Sequence, residues 1–408
     1  MSPAPPTDED PRDLRRATRA TYAVFAAAGG AFAAWAGRIP AVKTELGLTP
    51  GQLGLLLLAG SAGSLVGLPL AGRVASAIGV ARTVLLGAAL TLAGLVALGP
   101  VIERTGSPAW TGAALFVALF GIGQWDVAMN LHGADVDRRG GTNLMPRFHA
   151  AFSLGTVASA LAAAALARAG VSLTAHWVAA AAVIGALVAV AVRAFLPGPP
   201  AAPADARSPG QARAGSAWLE PRTLLVGVVV MVAAFAEGSA NDWISLAFID
   251  GHRQPEWADI LGLAVFLGCM TAGRVAGTGL LGRHGRVPLL RATFALAILG
   301  SVLVVFGGTA LAYAGAAVWG VGASLGFPVG MSAAADDPAR AAARVSVVST
   351  IGYLAFLAGP PALGFLGDHH GVLRALAVVP ALVAAAFLAI PATAPRAADV
   401  GPDGDAAH

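Results

Sequence analysis

Long apolar segments separated by short polar stretches follow one another along almost the whole chain. Segments such as "VASALAAAALA" and "VAAAAVIGALVAVAV" are unbroken, whereas the strands of a membrane barrel are about ten residues long and alternate in polarity. The pattern therefore favours helices of roughly 20 residues, the length that crosses a bilayer. Twelve membrane-spanning helices are predicted, over residues 18–41, 51–75, 80–100, 109–134, 147–168, 173–196, 222–248, 258–281, 288–308, 310–334, 343–367 and 371–393.

A polar interruption after the sixth segment divides the chain into two similar halves. It is rich in Pro, Ala and Gly, the composition of a flexible linker. A shift of about 200 residues aligns "RFHAAFSLG" with "RVSVVSTIG" and "GIG" with "GVG" in the same order. The predicted fold is an all-α membrane protein with two pseudo-symmetric six-helix bundles. The predicted boundaries are an N-terminal tail 1–17, a first bundle 18–196, a linker 197–221, a second bundle 222–393 and a C-terminal tail 394–408.

Charge distribution predicts the orientation in the membrane. Hydrophobic residues make up 57% and charged residues 12% of the 408 residues, against about a quarter charged in a soluble domain. Of the 26 Lys and Arg residues, 19 flank the segments on one side, which the positive-inside rule assigns to the cytoplasm. The tails and linker are therefore expected to be cytoplasmic. This asymmetry accounts for the net charge of +4 without a nucleic-acid partner.

The sequence offers little for enzymatic chemistry. Cys269 is the single cysteine, which excludes an internal disulfide and a cysteine-rich metal site. No stretch matches a nucleophile elbow, a metal-spaced His cluster or a P-loop. We therefore expect no enzyme activity, no metal, no cofactor and no ATP-driven step, although a membrane enzyme or receptor stays an alternative.

Two loops carry a family resemblance. "GRVASAIGVAR" follows the second helix and "GLLGRHGRVPLLR" follows the eighth. Together with twelve helices, a central linker and the repeat, they resemble the major facilitator superfamily, whose loops at these places carry Gly, Asp and basic residues. The resemblance implies a cytoplasmic gate, but Ser76 and Gly282 stand where the family has aspartate. The expected gating residues are Gly72, Gly79, Arg82, Arg147, Arg283, Gly285, Arg286 and Arg344.

Two further stretches are similar to the fucose-permease-like sugar transporters. "GIGQWDVAMN" in the fourth helix places Asp126 and Asn130 on that group's carboxylate and Asn, and "EGSANDW" resembles its seventh-helix pattern. Those sugar symporters also carry an acid in the first helix, whereas the corresponding stretch here has Arg38 and no carboxylate. Proton coupling identical to theirs is therefore not expected.

The polar residues inside the apolar segments form the candidate site. A charge near the bilayer centre costs about 2.5–3.5 kcal/mol even on a permissive scale, so such side chains face the protein interior or water. Acids followed by amides four residues later share a helical face and offer the donors and acceptors that sugar hydroxyls need. If the two faces converge, they line one cavity. The expected substrate-binding or proton-coupling residues are Asp126, Asn130, Gln124, Glu237, Asn241, Asp242 and Trp243.

Each of these residues also has a structural interpretation. The acids could form buried pairs, the amides could join helices, and Asp242 could be a charge at the rim. The predicted function is secondary active transport of a sugar or related small polar solute, with proton symport favoured and proton-driven efflux of drugs or metabolites as the alternative. Expected partners are the solute, protons and the lipid bilayer of the bacterial inner membrane, and the protein is expected to be a monomer.

Overall fold

The computed structural model describes residues 11–140, 144–196, 217–337 and 340–395, and the regular structure within these ranges is helical. The helices before the linker are α1 (Pro11–Ala36), α2 (Ile39–Glu45), α3 (Pro50–Ile78), α4 (Val80–Pro100), α5 (Pro108–Gly140), α6 (Met145–Arg168) and α7 (Leu173–Ala191). Those after it are α8 (Pro221–Leu246), α9 (Glu256–His284), α10 (Arg286–Phe306), α11 (Thr309–Ala323), α12 (Gly326–Ala334), α13 (Ala341–His370), α14 (Val372–Ala375) and α15 (Val378–Ala386). The all-helical prediction is confirmed.

Eleven helical segments within the described ranges are long and apolar enough to cross a membrane. They fall on the first eleven predicted spans. The twelfth, predicted over 371–393, is instead divided into α14, α15 and a 3-10 turn at Ile390–Thr393. Pro380 has no N–H to give the helix, and the preceding residues use tighter bonds, such as Val379 N–H to the Leu376 carbonyl at 3.0 Å.

Helix ends follow local sequence chemistry. Thr49 and Gln52 form a reciprocal capping box before α3, whose first residue is Pro50. Gly79 separates α3 from α4 with φ +88°, and Gly285 separates α9 from α10 with φ +73°. A side chain is strained in this left-handed region, so glycine permits the tight turn at both places. The two halves thus share a turn at corresponding positions.

Contacts divide the molecule into two compact units. The first contains α1 to α7 and also Pro255–Ala264, the start of α9. The second contains α8, the rest of α9 and the helices that follow. The domain boundaries set from the sequence stay predictions, and residues 197–216 of the linker, 1–10 of the first tail and 396–408 of the last tail lie outside the described residues.

Small residues let the helices of the first unit approach at backbone distance. A Cβ on Gly67 of α3 would lie 2.5 Å from the carbonyl oxygen of Phe120 on α5. Gly87 and Gly121 play the same part between α4 and α5, where an added Cβ would meet the facing backbone at 2.6 and 2.5 Å. Close glycine contacts of this kind are a common basis of helix packing in membranes. They fix α5, the helix that carries Asp126, between two neighbours.

Candidate functional site

Asp126 and Asn130 form a local acid–amide pair on α5. The Asn130 amide donates to the Asp126 backbone oxygen at 2.8 Å and to its Oδ1 at 3.3 Å. Asp126 lies 18 residues after Pro108 and 14 before Gly140, or about 27 and 21 Å from the two helix ends at 1.5 Å per residue. Both side chains are partly buried, and the described residues bring no cation to Asp126. This acid is therefore deep in the span with only an amide beside it.

Gln124 lies on a different face from this pair. It is fully buried, and its Nε2 donates to the Gly67 carbonyl of α3 at 2.6 Å. Its neighbour Trp125 is also fully buried and packs against Gly87. The structure therefore places Gln124 in a helix–helix contact.

Glu237 on α8 has a charged partner that sequence reasoning left outside the site. Arg274 of α9 donates from Nη2 to both carboxylate oxygens of Glu237, at 2.8 and 2.9 Å. Its Nε also donates to the Ser324 carbonyl at 3.3 Å, where α11 ends. Asn241 follows Glu237 by one helical turn, and its Oδ1 is buried without a hydrogen-bond partner in the described residues. The negative charge of Glu237 is thus balanced by Arg274, whereas Asp126 has only the Asn130 amide beside it.

Asp242 and Trp243 lie on another face of α8. With Ser239 they line a narrow crevice against Phe356 and Pro360 of α13. Trp243 is 1% exposed, and its indole N–H has no partner in the described part of the chain. The structure therefore separates these two residues from Glu237 and Asn241, and it places Trp243 in packing.

A broad groove in the first unit holds none of the candidate residues. It lies between α3 and α5 and is lined by apolar side chains such as Leu55, Ala59 and Phe116. An apolar groove offers few groups to recognise a polar solute. We therefore base the site on the polar residues within the spans and not on this groove.

The residues expected from the sequence to act in gating have different surroundings in the two copies of the loop motif. Arg82, Arg147 and Arg283 are exposed and form no ion pair within the described ranges, and Gly72 has open space around its α-carbon. Arg286, in contrast, donates to Asp336 at 2.6 Å and to the Ser332 hydroxyl at 3.1 Å.

Asp336 is the ion-pair partner of Arg286 in the second copy of the loop motif. It lies in the segment after α12 and also accepts from Arg222 at 2.9 Å. Sequence reasoning missed it because it is 50 residues from Arg286. Arg286 of the second copy of the motif is therefore held by an ion pair inside its own unit.

A second ionic cluster lies beside this one at the start of α8. Glu220 accepts from Arg344 at 2.7 Å and pairs with Arg340 at 2.5 Å, while Arg344 also reaches Asp337 at 3.2 Å. Partial burial acts to raise the pKa of Glu220, but hydrogen bonds from Arg344 and Thr223 and the nearby positive charges outweigh it, so this pKa lies below its ordinary value. Arg344, 3% exposed, is thus a structural centre of the second unit.

Arg38, which stands where the resembled family has an acid, is buried in the first unit. It donates to His176 Nδ1 at 3.1 Å, to the Val171 carbonyl at 2.7 Å and to Glu256 at 2.5 Å. Arg168 lies over the ring of Trp257 at 4.6 Å, a cation–π contact. Since both Glu256 and Trp257 open α9, two arginines anchor the start of that helix in the first unit.

Comparisons with known proteins agree with this architecture. The family model of the Major Facilitator Superfamily matches residues 20–360. An uncharacterized MFS-type transporter of Yersinia pestis is 32% identical over 375 residues, covering 90% of this chain and 92% of the relative. A mutant of the nucleoside transporter NupG aligns with a TM-score of 0.76 at 13% identity, covering 93% of this chain and 99% of that one. FucP in its outward conformation aligns with a TM-score of 0.65 at 16% identity, covering 94% and 100%.

Proposed function

This chain belongs to the Major Facilitator Superfamily, and from that premise we propose that it moves a sugar or related small polar solute across the bacterial inner membrane together with a proton. The family and fold make it a multi-pass membrane transporter and not an enzyme. The solute class, the coupling ion and the direction of transport are the proposed part.

The observation that carries the proposal is the setting of Asp126. This acid lies near the middle of α5 with Asn130 as its hydrogen-bonding neighbour and no cation among the described residues. An ionised carboxylate at this depth is costly, so binding a proton there stabilises the carrier when water is excluded. A group that is neutral in one state and ionised in another can couple proton movement to transport.

The chemistry of the pair supports a hydroxylated solute. A carboxylate accepts hydrogen bonds, and an amide both donates and accepts them. The fold is shared with FucP, described as a fucose:proton symporter, and with a D-xylose-proton symporter. At 14% and 15% identity these likenesses show the fold alone, so the proposal rests on Asp126 and Asn130.

Substitution of Asp126 tests the proposal. Asp126→Asn mimics the protonated acid at nearly constant volume, so it should keep solute exchange yet abolish accumulation driven by a pH gradient. Asp126→Ala should also weaken binding. Purified protein in liposomes would be assayed with fucose, xylose and uridine as labelled probes, with Asp13→Asn in the exposed start of α1 as the matched control.

Two results would contradict the proposal. Accumulation by Asp126→Asn at the wild-type rate under an imposed pH gradient would exclude this residue as the coupling site. Proton-driven extrusion of amphipathic dyes, with no uptake of a polar solute, would assign the protein to efflux instead.

A further inference from the structure

Arg274 is a charged side chain well inside a membrane-spanning helix. It lies 18 residues after the start of α9 and 10 before its end, about 15 Å from the nearer end at 1.5 Å per residue. Its side chain is 34% exposed and that of Glu237 18%. Because a charge at this depth is not stable against lipid, the exposed part of Arg274 faces water or a solute.

Only two of the three guanidinium nitrogens of Arg274 donate hydrogen bonds to the described residues. Nη2 binds Glu237 and Nε binds Ser324, but Nη1 has no partner within the described ranges. Gly273 makes this geometry possible, because a Cβ there would lie 2.6 Å from Ser324 Oγ. Arg274 therefore has an unpaired Nη1 group, which can donate a charge-assisted hydrogen bond to a carboxylate oxygen.

Arg274 is the cationic side chain that forms an ion pair with Glu237. The helices α11, α12 and α15, which pack on α8, contain no acidic, basic or histidine residue. The other titratable groups on α8, α9 and the neighbouring helices are Arg222, Asp242, Glu256, Asp259, Cys269, Arg283, His284, Tyr313, Arg344, Tyr353, Asp368, His369, His370 and Arg374. Arg222 and Arg344 bind Asp336 and Glu220 near the helix starts, and Asp242 lies on the crevice face of α8.

The charge balance of this pair restricts what can bind to it. Arg274 and ionised Glu237 sum to zero, so an added carboxylate leaves one uncompensated negative charge where charges are poorly screened. If Glu237 takes up one proton as the anion binds, the sum returns to zero. The Nη2 bonds then pass from the Glu237 oxygens to the oxygens of the anion.

We propose that Arg274 and Glu237 form a subsite for the carboxylate of an acidic solute, such as a sugar acid, and that one proton enters with each anion on Glu237. This inference rests on the proposed transport of small polar solutes and names the acidic members of that class. No covalent bond other than the O–H bond of Glu237 forms, and Arg274 stays charged throughout.

Matched pairs of acidic and neutral solutes test the subsite. The probes are glucuronate against glucose, gluconate against sorbitol and lactate against propane-1,2-diol, with binding to the purified full-length protein measured by the shift of its unfolding temperature at pH 6 and pH 8. We expect an acid to bind at least tenfold more tightly than its neutral counterpart, and more tightly at pH 6 than at pH 8. Binding of neutral members alone would overturn the subsite.

Three variants separate the roles of the two residues. Arg274→Gln should weaken binding of the acid at least tenfold, and Glu237→Gln should keep binding but make it equal at pH 6 and pH 8. The double variant, with Arg274→Gln and Glu237→Gln together, leaves no unpaired buried charge. It can therefore replace Arg274→Gln in the test if that single variant fails to fold. The double variant should also bind the acidic solute at least tenfold more weakly than the wild type. Arg291→Gln, exposed on α10, should bind as the wild type does.

The outcomes distinguish this inference from the proposed function. Acid binding that survives Arg274→Gln, or that keeps its pH dependence in Glu237→Gln, would overturn the subsite. If Arg274→Gln does not change the accumulation of neutral sugars, the proposed transport function is retained and Arg274 is not needed for it. If acidic solutes bind in an Arg274-dependent way but do not accumulate under a pH gradient, the subsite is supported. Proton-coupled transport is then contradicted.

Discussion

Asp126 and Glu237 look alike in the sequence, since each acid is followed by an asparagine four residues later, yet their neighbours differ. Asp126 has the Asn130 amide, whereas Glu237 has the Arg274 guanidinium. Helical periodicity makes an i, i+4 pair visible in the sequence. Partners from other helices are not visible in this way, because Arg274 is 37 residues from Glu237 and Arg344 is 124 residues from Glu220.

The same limit explains which parts of the candidate site the sequence could supply. It identified Asp126, Asn130 and Glu237 as polar residues in apolar helices, because burying polarity in a membrane needs a reason. The sequence alone could not predict that Gln124 binds the Gly67 carbonyl, because the packing of the helices decides which helix lies opposite Gln124. Burial alone does not separate a solute contact from an interhelical hydrogen bond.

Glu220 gives a pH-dependent prediction at the residue scale. Its pKa is lowered in the folded protein, so the ionised carboxylate stabilises the fold fully above the unfolded-state pKa near 4.5 and loses that effect as the pH falls through the lower folded-state pKa. Glu220→Gln should therefore unfold at a lower temperature than wild type at pH 7, with the gap narrowing below pH 4.5. The measurement is thermal unfolding of the protein in detergent.

A matched control is available for this measurement. Glu45 is exposed at the end of α2 and has no ion pair within the described ranges. Glu45→Gln should unfold with the wild type at both pH values. A gap for Glu220→Gln that widens on acidification would contradict the assigned direction of the pKa shift.

At the scale of elements, the sequence predicted helices more reliably than their contacts. Eleven spans follow from the length of the apolar segments alone, and this length does not depend on how the helices pack. The twelfth predicted span, 371–393, corresponds to a shorter apolar helical segment, Val372–Ala386, in which a turn before Pro380 separates α14 from α15. The glycine contacts of α3 were not predictable, because the same residue type serves turns, close packing and open surface.

Gly67 and Gly72 test that distinction within one helix. A Cβ at Gly67 would lie 2.5 Å from the Phe120 carbonyl oxygen, whereas at Gly72 it would meet nothing within 4 Å. Gly67→Ala should lower the free energy of unfolding by about 1–3 kcal/mol, as overpacking does elsewhere, and Gly72→Ala should leave it unchanged. Unfolding in detergent would measure both, and equal effects of the two variants would contradict the close approach of α3 and α5.

At the scale of the whole molecule, the orientation in the membrane remains a prediction from the basic residues. The linker and both tails are expected in the cytoplasm, and the loop around Gly106, between α4 and α5, outside it. A reporter enzyme active only in the periplasm should therefore be active when fused after residue 106 and inactive after residue 210. The reverse pattern would invert the topology.

The absence of a cation beside Asp126 among the described residues has a consequence for the electrical behaviour of the carrier. In the proposed cycle this site is neutral when the protonated carrier crosses with its solute and negative when the empty carrier returns. A membrane potential contributes about 2.3 kcal/mol per elementary charge per 100 mV, and an interior-negative potential favours outward movement of the empty, negative site. The Arg274–Glu237 pair, neutral with or without an acidic solute and its proton, adds nothing to this. Voltage should therefore accelerate the return step and leave the loaded step unaffected.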